Sequence, residues 1–292
     1  MEILNVLCKY PIRVNNSIVG CGQCIHCRAN RRREWVHRIL LEMKSHDLNT
    51  FLTLTYDNDH LPDGGTLVPE HVTTFIKRLR YHYDQPIKYY AVGEYGEETE
   101  RPHYHIALFN HPNCKYGRTR NRPLCCDECT KLKKIWSMGN VYLGELNEHS
   151  ATYIAGYILK KLTNEKDERL QGRYPEFARM SKKPAIGSAY IDNISEQLIK
   201  YKAREVPFYL LQGQKYMPLD NYMRNAISKK TNLPKAKKLQ EDVRILYEDE
   251  EISNLPREFK TMVVEHQVAD RKRFKRDHIE REYNRRRRGK IL

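Results

Sequence analysis

The chain contains no apolar run approaching the eighteen or more residues that a membrane-spanning helix needs. Its first residues, Met1-Glu2-Ile3-Leu4-Asn5, lack the basic lead and long apolar core of a secretory signal. Together these absences predict a protein that stays in the cytoplasm where it is made, with no membrane partner. No internal repeat is present, which argues against a solenoid or propeller. Acidic residues are in deficit: 37 Asp and Glu stand against 52 Lys and Arg, for a net charge of +15. Such an excess predicts attraction to a polyanion, and nucleic acid is the commonest one for a soluble chain. With 292 residues and 40% hydrophobic content, the chain can bury one sizeable core, with room for a small appendage.

Disulfides are not expected in a cytoplasmic chain, so the eight cysteines read as reduced thiols or metal ligands. Cys8 stands apart. Cys21, Cys24 and Cys27 form C-x2-C-x2-C. Cys114, Cys125, Cys126 and Cys129 form a second group, with C-x2-C between Cys126 and Cys129. Each group resembles half or more of a structural Zn²⁺ site, and reduced thiols in a turn remain the plain alternative. The first group lacks an obvious fourth ligand, for which Cys8, His26 or a cysteine of the second group are candidates.

The most informative stretch is Arg101-Pro102-His103-Tyr104-His105-Ile106-Ala107-Leu108-Phe109. It reads as a strand, so side-chain alternation puts His103 and His105 on one face, about 7 Å apart. Two imidazoles on one face can converge on a metal ion and leave positions open for water or substrate. Some fifty residues on, Thr152-Tyr153-Ile154-Ala155-Gly156-Tyr157-Ile158-Leu159-Lys160-Lys161 reads as a helix. Its tyrosines, at i and i+4, share one face. A His-x-His strand alone is more often structural, and two tyrosines at helical spacing are more often packing. Their combination on a basic chain points to phosphoryl transfer on DNA.

Around these stretches the periodicities predict an α+β protein. A helix is expected from Arg28 to about His46, a strand over Asn49 to Tyr56, and a helix from near Pro69 with Val72, Phe75, Ile76 and Leu79 buried. Strands over Ile87 to Tyr95 and His103 to Phe109 make a hairpin. A short helix follows from about Thr130 to Ser137, ended by Gly139, then a strand from Asn140 to Leu146. Asn147 or Ser150 caps the tyrosine helix, which runs to about Leu162. Ile191 to Tyr216 reads as a further hairpin. Residues 1–225 form the main domain with a Cys-rich lead-in, and 226–292 a basic helical tail ending in Arg285-Arg286-Arg287-Arg288. Arg31, Arg32, Lys182 and Lys183 are candidate DNA-backbone contacts, a solvated charged face being the plainer alternative.

The two central motifs resemble the signatures of the HUH endonuclease superfamily: His103-Tyr104-His105, and Tyr153-x-x-x-Tyr157-x-x-Lys160-Lys161. Within it, the chain resembles the rolling-circle replication initiators of gokushovirus-type single-stranded DNA phages (Microviridae). Phe51-Leu52-Thr53-Leu54-Thr55-Tyr56 resembles the superfamily's first motif. Cys21-Gly22-Gln23-Cys24-Ile25-His26-Cys27-Arg28 with Arg33-Glu34-Trp35 resembles the phage subgroup's N-terminal signature. Arg179-Met180-Ser181-Lys182-Lys183-Pro184-Ala185-Ile186-Gly187 resembles a segment downstream of its tyrosine helix. The likeness covers roughly residues 20–190, in family order.

That resemblance implies a central antiparallel sheet with flanking helices, ferredoxin-like or RRM-like, with helices over one face and the metal on the other. It implies a third, acidic or polar, metal ligand from the strand before the histidines. Glu94 is preferred over Glu97, Glu98 and Glu100, because a strand holds a side chain more rigidly than a turn. The implied cofactor is Mg²⁺ or Mn²⁺. The implied activity is nicking of single-stranded origin DNA by Tyr153 or Tyr157, leaving a 5′-phosphotyrosine, with Lys160 or else Lys161 stabilising charge, followed by rejoining. Host replication factors are the implied partners and the bacterial host's cytoplasm the setting. The alternatives are an HUH relaxase or transposase, a non-catalytic zinc-tied nucleic-acid-binding protein, and a metal-dependent hydrolase that activates water.

Overall fold

The computed structural model of the chain describes residues 12–14, 17–96, 98–116, 126–160, 168–212 and 215–236. In chain order the elements are β1 (Ile12–Val14), β2 (Ser17–Val19), α1 (Ile25–Met43), β3 (Asn49–Tyr56), α2 (Pro69–His82), β4 (Lys88–Tyr95), β5 (Pro102–Phe109), α3 (Asp127–Trp136), β6 (Gly139–Glu145), α4 (Glu148–Lys160), β7 (Phe177–Met180), α5 (Ile191–Lys200), β8 (Tyr209–Gln212), β9 (Lys215–Pro218) and α6 (Asn221–Thr231). The chain divides into two compact units, one from Arg38 to Tyr190 and one combining 1–37 with 191–292. Residues 237–292, most of the expected basic tail, lie outside the described residues.

In the Arg38–Tyr190 unit five strands form one antiparallel sheet in the order β6-β3-β5-β4-β7. The run β3-α2-β4-β5-α3-β6 is a βαββαβ unit of the ferredoxin-like kind. The expected α+β class is thus the one observed. Strand β7 is an addition at the β4 edge that the sequence reading took for a basic loop.

Alternation decides what each face carries. Along β3, Leu52, Leu54 and Tyr56 are buried while Phe51, Thr53 and Thr55 are half-buried. The first set joins Tyr104, Ile106, Leu108, Val141 and Leu143 in the core beneath α2 and α3. Helix α2 contributes the expected stripe of Val72, Phe75, Ile76 and Leu79. From α3 come Leu132, Ile135 and Trp136. Each fully buried side chain of this size contributes about 1.5–3 kcal/mol. The indole N–H of Trp136 donates to the Thr55 carbonyl at 2.9 Å, so its one polar atom is satisfied.

Helix α3 ends on Ser137 in the left-handed conformation, its N–H donating to the Lys133 carbonyl, rather than on Gly139. Gly139 instead opens β6 opposite Tyr56, at φ 151°. A Cβ there would lie 2.1 Å from the Thr55 carbonyl oxygen, so only glycine allows so close a pairing. At β4, Gly93 makes room for β7: a Cβ would stand 2.6 Å from the Phe177 ring.

Helix α4 covers the opposite face, packing on β4 and β5. Both expected caps act at its start. Ser150 N–H donates to Asn147 Oδ1 at 3.0 Å, and Asn147 N–H to Ser150 Oγ at 2.8 Å. This is a reciprocal capping box. Helices therefore flank both faces, α2 and α3 on one and α4 on the other.

In the second unit the expected hairpin is β8–β9, Tyr209 pairing with Pro218. Helix α5, which short apolar runs did not reveal, precedes it and packs against α6. Asp220 caps α6 by accepting from Met223 N–H at 2.9 Å. Among the described residues, no helix is long and apolar enough to cross a membrane.

Candidate active site

Three side chains from the central hairpin converge. Glu94 on β4 and His103 on β5 are directly opposite partners in the antiparallel register, and His105 lies two residues along the same face. Glu94 Oε1 is 2.7 Å from His103 Nε2 and 2.8 Å from His105 Nε2. Of the competing carboxylates, Glu98 is exposed and Glu100 is exposed and paired with Arg173 at 2.9 Å. Glu97 lies outside the described residues. Strand position therefore brings Glu94, not the described turn acids, to the histidines.

The outer nitrogens are engaged too. His103 Nδ1–H donates to the Arg101 carbonyl at 3.1 Å. His105 Nδ1 meets Thr53 Oγ1 at 2.9 Å, Thr53 being the β3 residue opposite it. Phe51 stacks on the His105 ring, centroids 5.5 Å apart. Thr53 and Phe51 thus give the Phe51–Tyr56 motif a role that the sequence reading did not assign. The signal that could have found it is the period-2 alternation, which puts Phe51, Thr53 and Thr55 on one face.

Donor chemistry fits a divalent cation. With Nδ1–H committed to a carbonyl, a neutral His103 aims a bare Nε2 lone pair at a carboxylate oxygen. Such a contact needs a proton or a cation between the atoms. Burial opposes charge on His103, but the Glu94 hydrogen bond and charge outweigh it and hold its pKa above the ordinary value. Burial likewise disfavours the Glu94 carboxylate, and its two histidine hydrogen bonds outweigh that and hold its pKa below the ordinary value. The ligand atoms of Glu94, His103 and His105 all lie within 4.8 Å of one another. Two imidazole nitrogens and one carboxylate oxygen form a face open to substrate, held by outer hydrogen bonds as metal-binding histidines usually are.

Helix α4 brings both tyrosines to His105, in different ways. Tyr153 is 45% exposed and its Oη is 3.5 Å from His105 Nε2. Tyr157 is 7% exposed and lies nearly parallel to the imidazole, centroids 5.7 Å apart. The two phenol rings meet edge to face at 5.1 Å. Lys160 closes the helix, its side chain outside the described residues along with Lys161.

Of the cysteines, Cys21, Cys24 and Cys27 hold their sulfurs within 4.8 Å of one another, as do Cys114, Cys126 and Cys129. Cys24 N–H donates to Cys21 Sγ at 3.3 Å. Burial opposes ionisation of Cys126, yet backbone N–H groups and the neighbouring thiols pull its pKa down to about 7. Cys8 and Cys125 lie outside the described residues. Arg31, Lys182 and Lys183 are exposed and Arg32 is half-buried; Lys182 and Lys183 sit in a turn bridged from Lys182 to Ala185. Nothing in these positions distinguishes phosphate contact from solvation.

Fold and site define a class: an α+β protein of ferredoxin-like topology whose sheet carries a carboxylate–dihistidine cluster beneath a helix with two tyrosines. Residues 49–162 match the family model of the replication-associated protein ORF2, a span that runs from β3 to just past α4. The chain is 38% identical over 206 residues to the replication-associated protein ORF2 of Spiroplasma virus 4, covering 66% of this chain and 63% of that one. It is 34% identical over 189 residues to the replication-associated protein VP4 of Bdellovibrio phage phiMH2K, covering 61% and 58%. A third relative, the replication-associated protein ORF4 of Chlamydia phage 1, is 32% identical over 192 residues, covering 62% and 48%. The matches therefore span less than two thirds of each curated relative's length. No solved structure is significantly similar. The resemblance to phage replication initiators drawn from the motifs is borne out by these matches.

Proposed function

We propose that the chain initiates phage DNA replication by nicking single-stranded DNA at the origin and later rejoining it. The observation that carries this reading is the convergence of Glu94 Oε1, His103 Nε2 and His105 Nε2, with Tyr153 Oη 3.5 Å from His105 Nε2. The relatives support it in that each is described as a replication-associated protein.

In this mechanism Tyr153 or Tyr157 attacks the scissile phosphorus as a phenolate. A phosphorus–oxygen bond to tyrosine forms as the bond to the 3′ oxygen breaks, and that oxygen takes up a proton. The products are a 5′-phosphotyrosine and a 3′-hydroxyl. The covalent ester stores the bond energy, so reversal rejoins the strand without ATP. Glu94, His103 and His105 are the residues that would hold a divalent cation, which supplies charge neutralisation and phosphate orientation when bound. Their nitrogen-rich set suits Mn²⁺ better than Mg²⁺, which prefers oxygen ligands. Thr53 and the Arg101 carbonyl fix the two imidazoles so that Nε2 faces inward. Lys160, one turn after Tyr157, stabilises charge on the phenolate or the phosphate. Lys182, Lys183, Arg31 and Arg32 contribute to grip on the DNA backbone, within the +15 net charge of the chain. The partners are single-stranded origin DNA and host replication factors in the bacterial cytoplasm.

The test is incubation with single-stranded origin DNA and Mn²⁺, followed by a denaturing gel. A protein–oligonucleotide adduct that disappears on addition of EDTA is the expected result. Cleavage without an adduct would replace tyrosine attack by water activation, and tight binding without cleavage would leave a non-catalytic DNA-binding protein.

A further inference from the structure

Outside the proposed active site, the segment that leaves β5 and enters α3 is gathered around sulfur. Cys126 Sγ is 3.9 Å from Cys114 Sγ and 3.6 Å from Cys129 Sγ. These distances are far beyond a disulfide bond of about 2.05 Å. They bracket another value. Two thiolates bound tetrahedrally to one zinc ion, each at about 2.3 Å, stand about 3.8 Å apart.

The surroundings favour thiolates over inert packing. Cys114 and Cys129 are buried. The Cys126 sulfur accepts hydrogen bonds from the backbone N–H groups of Cys129 and Lys115. N–H groups aimed at sulfur are an outer-shell arrangement of the kind that steadies metal-bound ligands. The neighbouring His111 is engaged elsewhere: its Nδ1 is 3.3 Å from Thr50 Oγ1 and its Nε2 3.3 Å from Glu128 Oε1.

We propose that Cys114, Cys126 and Cys129 bind a structural Zn²⁺ ion that clips the end of β5 to the start of α3. Three thiolates occupy three corners of the tetrahedron, and a water or one further donor takes the fourth. The ion has no part in the phosphoryl chemistry. Its effect is mechanical: Cys126 is the N-cap of α3, which carries Leu132, Ile135 and Trp136 into the core under β3 and β5. A clip here closes the chain between residues 114 and 126 and limits fraying of that helix.

The proposal is tested on the full chain purified without chelator. Metal analysis of wild type, Cys126→Ser and Cys129→Ser should find one zinc equivalent fewer in each variant than in wild type, whatever Cys21, Cys24 and Cys27 hold. Because a variant that fails to fold would also lose metal, the second measurement uses wild type alone. Alkylation by N-ethylmaleimide, mapped by peptide mass spectrometry, should leave Cys114, Cys126 and Cys129 protected until a zinc chelator is added, and then label all three together. Wild type without zinc, variants with unchanged zinc content, or labelling of these three residues that ignores the chelator would each overturn the proposal.

Discussion

Tyr157 lies flat against His105, with 14° between the ring planes, whereas Tyr153 meets the same imidazole edge-on at 82°. One phenol is packed into the site and the other stands over it, half in solvent. Equal spacing on the helix therefore does not mean equal access to DNA.

The first prediction follows from that asymmetry. Tyr153→Phe should slow the first adduct-forming step strongly, because it removes the exposed phenol. Tyr157→Phe should retain a first nick and fail mainly in the second transfer, which needs a second nucleophile while the first adduct persists. The double variant should form no adduct. Adduct yield and release of closed circles, scored separately for the three variants, check this; a Tyr153→Phe protein that performs both steps normally would reduce Tyr153 to packing and leave Tyr157 as the single nucleophile.

The second concerns metal. His103→Ala and His105→Ala should lower nicking by several orders of magnitude, since positioning and charge neutralisation of the phosphate are lost together. Glu94→Gln should impair nicking far more than Glu98→Gln. Equal effects of the two Glu variants, in assays at saturating Mn²⁺, would put the third ligand elsewhere.

Thr53 is a positioning residue. Thr53→Val keeps shape and removes the hydroxyl that meets His105 Nδ1. Loss of such an outer partner typically costs about 10–100-fold in metal affinity. Titration of nicking activity with Mn²⁺ should show the midpoint moving to higher concentration, with activity largely recovered at saturation. A lowered plateau with an unmoved midpoint would contradict the positioning role.

A fourth prediction tests the sheet itself. Gly139→Ala places a Cβ 2.1 Å from the Thr55 carbonyl oxygen at a φ that alanine avoids. The expected destabilisation exceeds about 1 kcal/mol, read as a lower denaturation midpoint with an unchanged slope. Wild-type stability would mean that β6 pairs differently with β3.

The last concerns DNA binding. If Lys182 and Lys183 neutralise phosphates, replacing both with Ala should make the salt dependence of single-strand affinity shallower, by about 0.7 for each phosphate no longer neutralised. Two parallel salt plots would assign these lysines to solvation.

Much of the β-core was legible because its signals are local. Alternation along Phe51–Tyr56 and His103–Phe109 has period two, and a hairpin between 95 and 102 makes Glu94 the partner of His103 almost by counting. Helix α4 and its cap were legible from Asn147, Ser150 and the tyrosine spacing. Strand β7 and helix α5 were not. Four residues of mixed burial, Phe177–Met180, carry no alternating signature, and become a strand because the β4 edge and the gap at Gly93 receive them.

The sequence by itself determined which residues carry the chemistry, because residue type and spacing along one strand or one helix are covalent properties. Tertiary structure decided how they differ. Register between β3 and β5 puts Thr53, not Thr55, opposite His105. Packing of α4 on β4 and β5 buries Tyr157 and leaves Tyr153 half exposed, although the two look alike at i and i+4. Folding of the segment between β5 and α3 brings the sulfur of Cys114 within 3.9 Å of that of Cys126, twelve residues later. Those are distances through space between groups distant in sequence, and they exist only once the sheet and its helices have closed around a common core.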